Sequence, residues 1–418
     1  MITDSLKNVD QEIERLIQRE IYRQQHTLVL IPSENYASLA VLEAQGSVLN
    51  NKYAEGYIGK RYYQGCKLID EIEYIAIKRA KELFGAEYVN VQPHSGTGAN
   101  IAVYQALLKP GEKILSLKLT QGGHLSHGKE GSLPFKYHTI VNYGVDRKTE
   151  RFDLDEIRKL AKKEKPRLII VGASSYPRRI DFKPWREIAD EIGAYLMVDA
   201  AHIIGLIAGG VHPDPVPYAD VVTATTQKTL RGPRGAFILC RKEFASAIDK
   251  AVFPGTQGGP FMHIIAAKAV CFKEASDPSF KDYQRQIVAN CRSLADVLVN
   301  EGFRLVTGGT DNHLLIIDLS SQKLTGEQAA ILLEEAGIIV NKNCIPFDPL
   351  PPSITSGIRL GTPALTTRGM KEEQMRLIGQ WIGEVLKNPH KKQIREKIRT
   401  KVEGLCRDFP IYKGFSQE

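Results

Sequence analysis

Apolar residues recur at helical spacing near the start of the chain. Leu6, Val9, Ile13, Leu16, Ile17 and Ile21 fall on one stripe across residues 4–25, which predicts an amphipathic helix. A short apolar run, "TLVLIPSEN", follows it. An arm of this kind packs either on a partner subunit or on the core of its own chain. From about residue 70 the pattern alternates between periods. "EIEYIAIKRAKELFG" reads as a helix ending at Gly85, "YVNVQP" as a strand, "GANIAVYQALLKPG" as a helix and "EKILSL" as a strand. "PRLIIVGA", "PWREIADEIG", "AYLMVDA", "ADVVTATT" and "GAFILC" continue the series. Several of these strands are apolar throughout and rich in Val and Ile, as a parallel sheet covered on both faces requires. The alternation predicts an α/β layer fold.

Two long helical patterns, "GPFMHIIAAKAVCFKEA" and "FKDYQRQIVANCRSLADVLVNEG", precede a change of rhythm. After Gly302 the order is strand, helix, strand: "NHLLIIDL", "GEQAAILLEEAG", "IIVNKN" and "SGIRLGTP". Basic helical segments close the chain. We therefore expect an N-terminal helical arm over 1–30, a large domain over 31–275 and a smaller C-terminal α/β domain over 276–418. A chain of 418 residues is long enough for such a division.

Composition narrows the classes. With 43% hydrophobic and 25% charged residues, neither disorder nor a fibre is indicated. The formal net charge of +8 favours anionic partners such as phosphates and carboxylates. The densest basic group, "HKKQIREKIRTK", is interleaved with Ile at helical spacing and reads as a solvated helix face, so nucleic acid is not expected as a partner. The six cysteines form no C-x-x-C pair and are irregularly spaced, which suits free thiols in a reducing compartment. The N-terminus has no signal-peptide pattern, and no apolar run approaches membrane-spanning length. A cytoplasmic location and no membrane association are the expectation.

In open α/β sheets, ligands bind outside the carboxyl ends of the strands. Three polar groups are expected there. Ser95, Gly96, Thr97 and Gly98 open a helix, and free N–H groups with hydroxyls at a helix N-terminus form a cup for an anion such as phosphate. Asp199 ends the apolar strand "AYLMVDA", and Lys228 follows the strand at 221–226. Taken singly, each has a plainer reading: a small-residue turn, an N-cap, a surface lysine. Together they are the set that pyridoxal phosphate needs, namely an amine to hold it, an acid to keep its ring nitrogen protonated and a phosphate site. Lys228 serves as an amine only where burial or neighbouring charge lowers its pKa.

Long strings in one order carry a resemblance. "NKYAEGYIGKRYYQGC", "NVQPHSGTGAN", "VDAAH", "TTQKTLRGPRG", "FPGTQGGP", "GGTDNHL" and "SGIRLGTPALTTRG" closely resemble the serine hydroxymethyltransferase family, from the "PSENY" segment to beyond residue 370. The resemblance implies the fold-type-I architecture of pyridoxal-phosphate enzymes, in homodimers or dimers of dimers with sites at the interface. It implies reversible conversion of L-serine and tetrahydrofolate into glycine and 5,10-methylenetetrahydrofolate, with pyridoxal 5′-phosphate as cofactor and tetrahydrofolate as co-substrate. By position, Lys228 resembles the Schiff-base lysine, Asp199 the acid paired with the ring nitrogen, and His124 the histidine stacked on the ring. His202 resembles the histidine near the phenolic oxygen, and Ser174 and Thr225 further cofactor contacts. Ser95, Gly96 and Thr97 match the phosphate cup, to which Tyr53 and Gly259 of a neighbouring subunit add. Arg359 resembles the arginine that clamps the amino-acid carboxylate, and Ser33 and Tyr63 further substrate contacts. Glu55 resembles the carboxyl group that moves protons. Tyr62 looks like the platform for the folate and Asn343 like a folate hydrogen-bond donor, with Gly123 and Leu125 beside them. His124 and His127 also form an HxxH pair, a metal-ligand spacing with no acidic third ligand nearby in sequence.

Three positions depart from the family's pattern. Gln227 stands where a His usually precedes the lysine, Ala224 where Thr is usual, and Gly98 replaces a larger residue in the cup. Gln donates and accepts hydrogen bonds but does not titrate near neutral pH. Lys228, Asp199, Arg359 and Glu55 are all retained, so Gln227 reads as tuning. The alternative is a β-hydroxy amino-acid aldolase or transaldolase that works without folate. A non-catalytic regulatory or nucleic-acid-binding relative would need none of those four residues together.

Overall fold

Seven strands line up at the centre of the computed structural model, which describes residues 4–412. In chain order they are β1 (Tyr88–Asn90), β2 (Lys113–Leu117), β3 (Thr139–Tyr143), β4 (Leu168–Val171), β5 (Tyr195–Asp199), β6 (Val221–Thr225) and β7 (Ala236–Cys240). They pair in the order β1-β7-β6-β5-β4-β2-β3. From β6 to β3 every pairing is parallel, whereas β7 runs antiparallel to both of its neighbours.

Helices cover both faces, so the strands in the middle are buried throughout. Successive side chains point to opposite faces of a strand. Thus Leu168 and Ile170 of β4 join Ala99, Val103, Tyr104 and Val252 on one side. Ile169 and Val171 join Trp185, Ile188 and Leu196 on the other. Truncating such a residue to Ala costs about 2–5 kcal/mol. Gly85 and Gly193 take left-handed conformations (φ 63° and 66°) and end the Lys67–Phe84 and Lys183–Ile192 helices where the sequence places those ends.

A second core surrounds four antiparallel strands: β8 (Arg304–Leu305), β9 (Leu314–Asp318), β10 (Asn341–Asn343) and β11 (Gly357–Gly361), in the order β8-β9-β11-β10. Leu315, Ile317, Ile358 and Leu360 pack there against Leu333, Ile378, Ile382, Ile398 and Val402 from three helices.

Several expectations need correction. The N-terminal stripe is not one helix: Asp10 interrupts it, and its carboxylate caps the Gln11–His26 helix by accepting from the Ile13 N–H at 3.0 Å. "IIVNKN" splits in two, with Ile338–Ile339 pairing in parallel with Leu28–Val29. Thr139–Tyr143 and the Leu154–Glu164 helix carry no signal that the pattern reading used. Among the described residues, no helix is long and apolar enough to cross a membrane.

The arm is tied to its own chain at its base. Arg368, 6% exposed, donates to the carbonyls of Gln24 and Gln25 (both 2.9 Å), Cys406 (3.1 Å) and Phe409 (2.9 Å). One guanidinium thereby closes the C-terminal ends of two helices, whose unpaired carbonyls and partial negative charge favour a cation. Further up the arm, Val9, Ile13 and Leu16 remain exposed. Arg368→Met leaves those carbonyls without their donor. We expect it to lower stability by about 3 kcal/mol or more in denaturant unfolding and to open residues 11–26 to trypsin; an unchanged midpoint contradicts this role.

Candidate active site

The carboxyl ends of β5 and β6 and the turn after β1 open on one cavity of about 630 Å³. Its lining includes Ser33, Ser95, Gly96, Thr97, Gly123, His124, Leu125, Ser174, Asp199, His202, Thr225, Lys228, Asn343 and Arg359, every one of them singled out in the sequence. Residues from both cores meet there, since Asn343 and Arg359 come from β10 and β11.

The cup forms because Ser95 leaves β-region backbone (φ −151°, ψ 161°) and caps the Gly96–Leu107 helix, its hydroxyl accepting from the Gly98 N–H at 3.1 Å. A Cβ at Gly96 would stand 2.8 Å from Thr225 Cγ2, so the strand and the helix start approach as closely as glycine permits. At Gly98 a Cβ would lie 3.3 Å from Ser95 Oγ, against the cap itself. Lys268 fixes the segment leading into the cup. Its buried ammonium donates to the carbonyls of Val91 (2.6 Å), Pro93 (3.0 Å) and Ala236 (2.6 Å).

Asp199 ends β5 with its side chain 10% exposed. One oxygen accepts from His127 Nε2 at 2.8 Å and from Asn100 Nδ2 at 2.9 Å; the other accepts from the Ala201 N–H at 3.1 Å. The His124 N–H donates to His127 Nδ1 at 3.4 Å, which leaves Nε2 as the protonated nitrogen facing the carboxylate. Burial raises the Asp199 pKa, but the hydrogen bond from His127, the electrostatic pull of the two histidines and the hydrogen bond from Asn100 outweigh it. The group is held well below its ordinary range. Sequence spacing missed this partnership, because the acid that meets the HxxH pair arrives from another strand. His124, His127 and Asp199 bring ligand atoms within 4.8 Å of one another, although His127 already spends its proton on Asp199.

His124 presents a neutral ring. Its Nδ1 accepts from the Ser126 N–H (3.2 Å) and lies 2.7 Å from Ser126 Oγ, which itself accepts from Asn100 at 2.9 Å. Burial, partly opposed by Asp199, pushes its pKa down to about 4. His202 and His313 face each other at 3.3 Å, and burial keeps both neutral. Sequence reasoning found His202 but gave His313 no role of its own.

Lys228 sits on a tight turn. The Thr226 hydroxyl donates to the Pro233 carbonyl at 2.5 Å, the Gly232 N–H to the Thr226 carbonyl at 2.7 Å, and Asn35 Nδ2 to the Lys228 carbonyl at 3.0 Å. Burial lowers the Lys228 pKa to about 8 despite the opposing pull of Asp199. Beside it, the buried Gln227 Oε1 has no hydrogen-bond partner among the described residues. Arg359 donates from Nε to Asn341 Oδ1 at 3.2 Å and from Nη1 to the Ser174 carbonyl. Burial lowers its pKa to about 10, which leaves a guanidinium at neutral pH.

Tyr53, Glu55, Tyr62, Tyr63 and Gly259 line no part of this cavity. They form a second group at the surface. Tyr63 Oη donates to Glu55 Oε2 at 3.3 Å, the Tyr53 and Tyr63 rings meet edge to face at 5.2 Å, and a Cβ on Gly259 would touch Tyr53 at 3.3 Å. Tyr53, Tyr62 and Tyr63 are 55%, 74% and 43% exposed, a degree unusual for clustered aromatics.

A family profile described as serine hydroxymethyltransferase matches residues 6–382. A relative from Coprothermobacter proteolyticus, named serine hydroxymethyltransferase, is 58% identical over 413 residues, which cover 99% of each chain.

The geometry makes Lys228 an unusually acidic amine. Labelling of the cofactor-free protein with a trinitrobenzenesulfonate probe, followed by peptide mass spectrometry, should give a Lys228 rate that rises through a midpoint near pH 8. A midpoint above about 10, the ordinary lysine range, would place this amine in water.

Proposed function

The chain belongs to the serine hydroxymethyltransferase family, and we propose on that premise that it interconverts L-serine plus tetrahydrofolate with glycine plus 5,10-methylenetetrahydrofolate. One observation carries the reading: a half-buried amine with its pKa lowered to about 8, an ionised carboxylate, the start of a helix capped by Ser95 and a guanidinium share a single cavity.

The donor set fits pyridoxal 5′-phosphate. Ser95, Gly96 and Thr97 would take the phosphate, and Asp199 would face the ring nitrogen. His124 would cover the ring, with Ser174, His202 and Thr225 beside it, and Lys228 would hold the group through its amine. Gln227, with an oxygen to spare, can accept one further hydrogen bond there. When bound, the cofactor supplies an electron-withdrawing ring that takes up the electron pair released at the substrate Cα.

This chain's residues supply the rest. Arg359 binds the substrate carboxylate, where a planar two-pronged donor fixes orientation as well as position. Ser33 and Tyr63 add contacts. Asp199 stays ionised, so it favours a proton on the atom it faces. Lys228 becomes mostly a free amine above about pH 8, well below the ordinary lysine range, because burial has lowered its pKa. Glu55 holds the proton that the hydroxymethyl oxygen takes up as it leaves. Gly123, Leu125, Asn343 and Tyr62 bind the folate.

We further propose that the surface group serves a cavity of a second copy, in a homodimer. Tyr53, Glu55, Tyr62, Tyr63 and Gly259 lie outside their own chain's cavity, and their exposed aromatic rings suit burial against a partner. Nothing in the cavity favours folate-independent aldol chemistry, because Gln227 displaces none of the residues named here.

Steady-state turnover tests the reading. Serine consumption should depend on tetrahydrofolate, and Gln227→His should keep that dependence. Glu55→Gln should slow folate-dependent serine turnover by about 100-fold or more while slowing cleavage of threonine less. Equal losses in the two reactions count against the assigned role of Glu55, and serine turnover indifferent to folate counts against the proposed reaction.

A further inference from the structure

Beneath the exposed group that carries Glu55 lies a buried ion pair that the reaction does not use. The side chains of Arg61 and Glu73 are only 3% and 1% exposed and are hydrogen-bonded through Arg61 Nη2 and Glu73 Oε2. Burying two charges is costly, and such pairs contribute little net stability, so one beneath a surface loop calls for another explanation.

The other donors of Arg61 supply it. Arg61 Nη1 donates to the carbonyls of Ala54 (3.0 Å) and Gly56 (2.8 Å), the two residues that flank Glu55. Glu55's own carbonyl accepts from the Tyr62 N–H at 3.0 Å, so three consecutive carbonyls are fixed. Arg61 Nε reaches Asp70 at 2.8 Å, and the other oxygen of Asp70 accepts from the Gly59 N–H at 3.0 Å. Gln92 Nε2 completes the frame, donating to Glu73 Oε1 (2.8 Å) and to the Gly56 carbonyl (3.0 Å). Gly56 has φ 96°, and a Cβ there would stand 2.3 Å from the Lys60 carbonyl, so the turn tolerates no other residue without shifting.

We propose that Arg61 and Glu73 are positioning residues for Glu55, their buried pair fixing the backbone from which its carboxyl group delivers a proton. The inference rests on the proton-transfer role assigned to Glu55 above. Neither residue touches a reacting atom; each acts through the carbonyls on either side of Glu55. Both carboxylate oxygens of Glu73 accept hydrogen bonds, so Gln at 73 must turn an N–H toward either Arg61 or Gln92, and the frame loosens while its volume is kept.

The test is a double-mutant cycle on the full-length, cofactor-loaded enzyme. Glu73→Gln should slow folate-dependent serine turnover by about 10- to 100-fold. Added to Glu55→Gln, it should slow the enzyme by no more than about twofold further, because two residues acting through one group are non-additive. Hydrogen exchange read by mass spectrometry should show faster exchange at 54–61 with the 195–225 strands unchanged. If Glu73→Gln does not fold, Arg61→Lys carries the same comparison, since an ammonium cannot span Ala54, Gly56, Asp70 and Glu73 at once. Equal slowing in the wild-type and Glu55→Gln backgrounds overturns the positioning role and leaves the role of Glu55 standing. A Glu55→Gln enzyme that turns over serine at the wild-type rate removes the role of Glu55, and this inference with it.

Discussion

A carboxylate buried at the end of a parallel strand must be neutralised or be given partners. Asp199 is given partners: His127, Asn100 and the Ala201 N–H surround it, and they offset a desolvation cost of several kcal/mol. The remaining polar order of the cavity follows from this anchor. Asn100 is itself fixed by the Thr223 hydroxyl at 2.7 Å, which ties the arrangement to β6, and it passes a hydrogen bond to Ser126 and so to His124. The same negative charge partly restores the pKa of Lys228 against burial, so that amine sits near 8 rather than lower. One anion thereby orders the hydrogen bonds that hold the His124 ring, which burial keeps neutral, and keeps a usable amine nearby.

Both cores contribute to the cavity, and polar clamps hold them in register. Arg178 donates to Thr307 Oγ1 (2.9 Å) and Asp311 (3.0 Å), and Asn312 Nδ2 donates to the Tyr176 carbonyl at 3.0 Å. These contacts bring His313 to His202, while Arg359 reaches the Ser174 carbonyl from β11. The geometry of Arg359 relative to Lys228 therefore depends on side chains far from either.

Much of this was legible in the sequence, for identifiable reasons. Unbroken apolar runs mark strands buried on both faces, and the strand-end rule brings Asp199, Lys228 and the Ser95 cup together. What the pattern could not carry was direction and partnership. "GAFILC" is as apolar as a parallel strand, yet β7 runs antiparallel, because burial on both faces is indifferent to direction. "TIVNY" escaped notice because an edge strand is only partly buried and its pattern is mixed. His127 was visible only as half of an HxxH pair, since its partner lies 72 residues on. Glu73 looked like any helical acid, and only tertiary contact shows it buried beneath Glu55. The N-terminal stripe read as one helix because periodicity does not register the capping preference of Asp10 when the stripe resumes in phase.

The central claim is that Asp199 remains ionised in the cavity and so imposes a proton on whatever basic nitrogen faces it. Nitrogen-15 NMR of the enzyme loaded with ring-labelled pyridoxal 5′-phosphate measures this directly. The account predicts a protonated ring nitrogen from about pH 6 to 9, well beyond the ordinary carboxylate range, and its loss in Asp199→Asn. An unprotonated ring nitrogen in the wild-type protein at neutral pH would contradict it.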